Sequence, residues 1–216
     1  MPGRNHILLI NMEFYQCNPS KLKNCLYLLN PLTCNKKPGN PHMNFTLRPW
    51  NLADISSLVN YANNWNIAKN LTDKFPFPYS EPDAISFIEF ATRDKPIHIF
   101  AIEIMGQAAG GIGIHPQDDI HKKNAELGYW LAEPFWGRGI MTNGVKQMVD
   151  FAFNTFDINR VFARPFGTNN ASQRVLEKAG FTLEGRFKNT LYKNGEYQDE
   201  LIYAVRLKTQ GSDFEP

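Results

Sequence analysis

The chain has 216 residues, 43% of them hydrophobic, enough for one globular domain with a real core and too few for two. Its formal charge is +2, but residues 1–42 carry Arg4, Lys21, Lys23, Lys36 and Lys37 against Glu13 alone, leaving 18 basic and 20 acidic side chains in residues 43–216. That balance gives no general electrostatic reason to bind nucleic acid or anionic lipid. The three cysteines, Cys17, Cys25 and Cys34, also lie in the first 42 residues without a CxxC pattern, so disulfide stapling and cysteine catalysis are excluded for the remainder. A chain of this size without disulfides fits the cytosol, and no apolar run approaches a signal or membrane segment.

Residues 1–42 are rich in Asn, Lys and Pro and end in NKKPGNPH. They read as a poorly ordered extension, with Met43 as an alternative start; a short hairpin or helix packed on the domain is the other reading. From residue 43 onward strands and helices alternate, which predicts an α/β domain over 43–216. Phe45 to Trp50 reads as a strand, and Asp54 as the cap of a helix burying Ile55, Leu58, Val59 and Ala62. Trp65, Phe75, Phe77 and Tyr79 stand in a proline-punctuated stretch that is either core or the lining of a pocket. A second amphipathic helix runs from Pro82 to Thr92.

Ile97 to Met105 and Ala109 to His115 form a predicted hairpin around Gly106-Gln107. Ala125 to Ala132 is a further strand, followed after Gly139 by a long helix with Val145, Met148, Val149, Ala152 and Phe153 on one face. Val161 to Pro165 is a strand, and Ala171 to Ala179 a helix closed by Gly180. Phe181 to Gly185 and Tyr197 to Leu207 are the last strands, joined through Lys193-Asn194-Gly195.

The segment ELGYWLAEPFWGRGIMTNGVKQMVDFAF, Glu126 to Phe153, is the most informative. A strand ends, Gly137-Arg138-Gly139 turn the chain, and a helix begins near Ile140. Unpaired N–H groups and the positive dipole end of that first turn suit a phosphate. No GK[ST] follows, so it is not a Walker loop, and Thr142 stands where the third glycine of a dinucleotide fingerprint belongs. The run TNNASQRVLEKAGFTLEGR, Thr168 to Arg186, adds Asn169, Ser172, Leu176, Gly180 and Phe181 in a fixed frame. Helix propensity accounts for RVLEKAG by itself but not for the order of the two segments.

Together with KNGEYQDELIYAV at 193–205, these segments resemble the GNAT superfamily of N-acetyltransferases, on its RimJ/RimL branch, over roughly residues 44–207. The resemblance implies a mixed, mainly antiparallel sheet with helices on both faces and a splayed parallel strand pair admitting acetyl-CoA. It also implies that the turn through Gly137, Arg138, Gly139, Ile140, Met141 and Thr142 cradles the coenzyme pyrophosphate. Trp130, Leu131 and Ala132 would pair with the pantetheine amides, and Asn169 would contact the coenzyme from the other side. Met141 departs from the pattern, which usually has Gly or Ala there.

The implied reaction is direct attack of a primary amine on the thioester in a ternary complex, with a protein N-terminal α-amine, ribosomal-protein-like, as the first acceptor class. A polyamine, an amino acid or an aminoglycoside is the alternative, as is a non-catalytic acetyl-CoA-binding module. Glu126 is the candidate base and equally a salt-bridge partner. Backbone N–H near Leu131 or Ala132 would form the oxyanion hole. Relatives carry an acid tyrosine where Leu176 stands, so Ser172 is the candidate acid, with helix-start capping as its plainer role. His98, His115 and His121 have no partners at metal or triad spacing and read as structural or surface residues, and no metal is expected. Asp118, Asp119 and Glu133 are the candidate acidic cleft for a cationic acceptor. Nucleic-acid and membrane partners are not expected, and the assembly is expected to be a monomer or homodimer in the cytoplasm.

Overall fold

A computed structural model describes Leu32–Thr33 and residues 44–207. Its eight strands are β1 Leu32–Thr33, β2 Thr46–Pro49, β3 Ile99–Ile104, β4 Gln107–Pro116, β5 Asn124–Leu131, β6 Arg160–Ala163, β7 Thr182–Lys193 and β8 Glu196–Arg206. They form one sheet in the order β1-β2-β3-β4-β5-β6-β8-β7. All neighbours are antiparallel except β5 and β6. The five helices are α1 Ile55–Ala62, α2 Trp65–Ala68, α3 Glu81–Arg93, α4 Ile140–Thr155 and α5 Asn170–Lys178.

Period-2 alternation in the central strands sends side chains to two different cores. On one face Ile112, Ile114, Ala125, Leu127 and Leu131 pack against Ile140, Val145, Met148 and Ala152 of α4 and Leu176 of α5. On the other, Ala101 and Ala108 pack against Leu58 and Ala62 of α1 and Ala84, Ile88 and Ala91 of α3, with Trp50 and Tyr79 between. This is the expected mixed α/β sheet with helices on both faces.

The extension expected over residues 1–42 lies outside the described residues, apart from Leu32–Thr33, which pairs with Leu47 and Thr46. Three local expectations change. Asp54 does not cap α1: Asn51 caps a 3-10 turn at Leu52–Asp54, while the Asp54 carboxylate accepts from Arg48 at 2.7 and 2.8 Å and from the Asn51 N–H. A half-buried guanidinium is too strong a competitor for a helix end. The β3–β4 turn is Met105-Gly106, both at positive φ (52° and 78°), one residue earlier than the glycine suggested. β7 extends from Thr182 to Lys193, past the predicted end at Gly185, because it is an edge strand that buries little and so lacks a clean alternation.

Arg160, the first residue of β6, holds the paired end of the parallel strands. Its guanidinium donates to Asn124 Oδ1 on β5 at 3.0 Å and to Glu184 on β7 at 2.5 and 3.0 Å. Arg160, followed by Arg206, holds the Glu184 carboxyl below its ordinary pKa. A depressed carboxyl stabilises the fold above the unfolded value and loses that contribution as pH falls through the native one. Glu184→Gln should therefore melt at a lower temperature than the parent at pH 7, and the gap should close below about pH 4. A gap that stays constant to low pH, followed by thermal circular dichroism, would mean that Glu184 contributes by packing and not by charge.

Candidate active site

β5 and β6 pair only at Asn124–Arg160, Ala125–Val161 and Glu126–Phe162. Beyond that point β5 continues beside β4, whereas the chain after β6 stays with β8. Leu201 N–H donates to the Pro165 carbonyl, Gly167 N–H donates to the Asp199 carbonyl, and Phe166 bridges to Glu200. Pro165 has no N–H to offer across the gap. The strands therefore diverge after three residues, giving the expected splay.

The register of β4 and β5 decides which main-chain groups face that opening. Ala132 N–H donates to the Ala109 carbonyl at 2.8 Å, and Gln117 N–H to the Asn124 carbonyl at 3.0 Å. Bonded pairs alternate along an antiparallel ladder, so Trp130, Gly128 and Glu126 spend their main-chain bonds on β4, while Tyr129 and Leu131 turn theirs toward the missing β6. This corrects the expected pantetheine partners: Tyr129 and Leu131 can offer main-chain groups to an extended ligand, and Trp130 and Ala132 cannot. The Ala132 N–H, expected as a second oxyanion donor, is spent on Ala109, while the Leu131 N–H points away from β4. The Leu131 carbonyl is already taken, at 2.7 Å, by the indole N–H of Trp136.

At the end of β5, Gly137 and Gly139 adopt left-handed φ of 74° and 75°, and Gly139 is the N-cap of α4. A Cβ at Gly137 would meet nothing, so backbone conformation is the reason for glycine there. The first capped helical bond runs from Asn143 N–H to the Gly139 carbonyl, leaving the N–H groups of Ile140, Met141 and Thr142 without partners inside the helix. Ile140 and Met141 point their side chains into the α4 core. The bulk of Met141 therefore turns away from the turn and does not obstruct it. Arg138, between the glycines, is exposed with its guanidinium over the Phe135 ring.

Across the splay, Asn169 caps α5. Its Oδ1 accepts from Ser172 N–H at 3.1 Å, so the cap is made by the oxygen and not by the amide N–H₂. The Ser172 hydroxyl lies 2.7 Å from the Tyr129 hydroxyl. Burial pushes the Tyr129 phenol well above its ordinary pKa, so the pair carries hydroxyl protons throughout the neutral range. Tyr129 was not singled out from the sequence, where it reads as one more aromatic in a strand. An open β edge, a left-handed glycine turn at a helix start and a capped helix opposite form a slot that fits an extended amide chain ending in a pyrophosphate.

On the opposite face of the sheet stand Glu126, Gly128 and Trp130. Both Glu126 oxygens accept from Arg164, at 3.0 and 2.9 Å, and Arg164 also reaches Glu200 at 3.5 Å. Arg164, missed in the sequence reading, follows β6 at the point of divergence. Of the aromatic stretch, Tyr79 is core, Phe75 packs against Trp130 with ring centres 5.9 Å apart, and Trp65 and Phe77 are exposed against each other. Lys193, at the tip of the β7–β8 hairpin and 9% exposed, donates to Asp73 of that stretch at 2.6 Å. Asp118 and Asp119 precede β5 and Glu133 follows it, so they sit at opposite ends of the strand and do not form one acidic cleft.

His98 and His115 have the partners that their spacing concealed. Their rings meet edge to face with centres 6.2 Å apart, and His115 lies opposite Glu126 in the ladder. Among the described residues no group of three or more His, Cys, Asp or Glu side chains could hold a metal, and no helix is long and apolar enough to cross a membrane.

Comparison with known proteins agrees with this geometry. The putative ribosomal N-acetyltransferase YdaF of Bacillus subtilis is 37% identical over 105 residues, 49% of this chain and 56% of that protein. Spermidine N(1)-acetyltransferase of Escherichia coli is 24% identical over 165 residues, 74% of this chain and 84% of that protein. The matches span about half the length of the first curated relatives. Among solved structures, RimL, a ribosomal L7/L12 α-N-protein acetyltransferase in complex with coenzyme A, superposes with a TM-score of 0.67 at 26% identity, covering 76% of this chain and 94% of that one. The acetyltransferase (GNAT) domain family matches residues 44–182, and with the splayed β5–β6 pair and the glycine turn in place, the chain belongs to that family.

Proposed function

We propose that the protein transfers the acetyl group of acetyl-CoA to a primary amine by direct attack in a ternary complex, and that the acceptor is a protein N-terminal α-amine. The observation that carries the transfer reading is the open edge of β5 running into the N-terminus of α4. Tyr129 offers main-chain groups to the pantetheine amides. Gly137, Arg138, Gly139 and the N–H groups of Ile140, Met141 and Thr142 hold the pyrophosphate, and the Asn169 amide closes the slot from α5. The bound thioester supplies the activated acyl group. The Leu131 N–H is placed to donate to the oxyanion, and the Ser172 hydroxyl, backed by Tyr129, to the departing sulfur.

Two features support an α-amine over a polycation. The carboxylates around the cleft are already occupied: Glu126 and Glu200 by Arg164, Asp199 by Arg186, Asp73 by Lys193, and Glu133 by the Asn64 and Asn66 amides. A chain of ammonium groups would have to displace those partners. An α-amine also loses its proton near pH 8, about two units more easily than a lysine-like amine. The names of YdaF and RimL point the same way, while the likeness to spermidine N(1)-acetyltransferase keeps a small amine as the second reading. Glu126 has both oxygens engaged, so taking a proton from the amine requires giving up one of those bonds. That supports a role in orienting the acceptor ahead of the role of base.

Thiol release from acetyl-CoA should be seen with peptides bearing free N-termini and lost when those termini are blocked. Turnover confined to polyamines or aminoglycosides would sink the α-amine reading, and binding without any turnover would leave a non-catalytic module. Gly139→Glu should abolish the calorimetric heat of coenzyme A binding with the circular dichroism spectrum retained, and Arg138→Ala should weaken it roughly tenfold, the scale of one charged contact. Retained affinity in Gly139→Glu would displace the phosphate from this turn. Glu126→Gln should raise KM for the acceptor more than it lowers kcat; a fall in kcat alone would restore Glu126 as the base.

A further inference from the structure

On the face of the sheet opposite α4, the middle of the β4–β5 ladder carries no side chain of its own. Gly113 on β4 and Gly128 on β5 are direct neighbours in the ladder, with Gly111 and Trp130 at one end of the same face and His115 and Glu126 at the other. A Cβ at Gly113 would lie 3.0 Å from Ile99 Cγ1 and 3.4 Å from His115 Nε2, and one at Gly128 would find that nitrogen at 3.8 Å with nothing nearer. The imidazole therefore leans over the glycine floor, and Gly128 itself is open to solvent. Gly128 lies two residues beyond the last pairing of β5 with β6, immediately beside the slot.

The charged and titratable groups around this ring come from four directions. Glu126 on β5 faces it directly, with both oxygens turned to Arg164, which lies beyond β6. His98, before β3, meets it edge-on; its Nδ1 lies 3.1 Å from the Pro96 carbonyl and its Nε2 lies 4.0 Å from Asp94, which follows α3. Phe156, at the end of α4, is uncharged and closes the far side of His98. Neither ring nitrogen of His115 has a hydrogen-bonding partner among the described residues. Burial first and His98 second hold His115 below its ordinary pKa, with Glu126 opposing them. It is a neutral imidazole with a lone pair at pH 7.

We propose that His115, leaning over the Gly113–Gly128 floor, is the proton acceptor for the attacking amine. The inference rests on the acetyl-transfer reading above, not on which amine is the acceptor. The amine nitrogen forms a C–N bond to the thioester carbonyl and gives its proton to the imidazole, directly or through one water. The C–S bond breaks, and the sulfur takes a proton from the Ser172 hydroxyl, which solvent replaces. Glu126, opposite, favours the imidazolium that forms and releases its proton as the product leaves. The sequence placed His115 among structural residues because its partner is eleven positions away, across a turn.

The test joins ring titration to turnover. NMR of the ligand-free chain should show one imidazole, lost in His115→Asn, titrating below the ordinary histidine range. The acidic limb of kcat/KM should follow that titration, and His115→Asn should lower kcat roughly 100-fold or more while coenzyme A affinity stays within about twofold. If no peptide amine is turned over, the α-amine reading fails alone, and the same comparison is made with the amine that is used or with hydrolysis of acetyl-CoA by water. A kcat within about threefold of the parent with the limb intact would overturn the assignment. Should His115→Asn fail to fold, Glu126→Gln should lower the ring titration and the acidic limb together. A limb that does not move with the ring would overturn the assignment equally.

Discussion

The site depends on one divergence: β5 keeps its partner β4 and loses β6 after Glu126. A strand edge in the middle of a sheet is normally satisfied by its neighbour, and leaving it open strands main-chain groups that must find water or a ligand. Here the edge is held apart by what happens to β6, whose continuation stays hydrogen-bonded to β8, and by Arg160, which fastens the paired end. The opening has a fixed width because both half-sheets are fixed by their other neighbours. A ligand that supplies amides of its own completes the sheet, so its recognition needs few side chains.

The same strand separates the two halves of the chemistry. Odd-numbered residues of β5, Leu127, Tyr129 and Leu131, face the α4 core and the slot, while Glu126, Gly128 and Trp130 face the side on which α1 and α3 pack. Ser172 is tied to Tyr129 on the first side, and His115 stands over the glycine floor on the second. In the proposed mechanism the group that takes the amine proton and the group that protonates the sulfur thus lie on opposite faces of one sheet. Such separation keeps an acid and a base from neutralising each other directly.

Much of this was legible in the sequence because it is local. The glycine turn before α4, the Asn169-led helix and the Gly180 stop are each written within a few residues, and the structure places all three as read. What was missed depends on register. No local pattern says that Trp130 and Ala132 bond to β4 while Tyr129 and Leu131 face outward, since a shift of one residue would reverse it. Arg164 and His115 escaped for the same reason: each meets Glu126 only through strand pairing, one across a parallel crossover and one across an antiparallel turn. Asp54 misled in the opposite way, because a good capping residue was claimed by Arg48.

The bond between Lys193 and Asp73 joins the tip of the β7–β8 hairpin to the aromatic stretch, two segments 120 residues apart in the chain. Lys193 is sheltered while the Asp73 side chain is 84% exposed, so the tie is half in water. Salt screens exposed charge within about 10 Å at 0.1 M, which makes this link sensitive to its ionic surroundings in a way the hydrophobic cores are not. Ionic strength can therefore loosen the tie between the hairpin tip and the aromatic stretch while the two cores keep their packing.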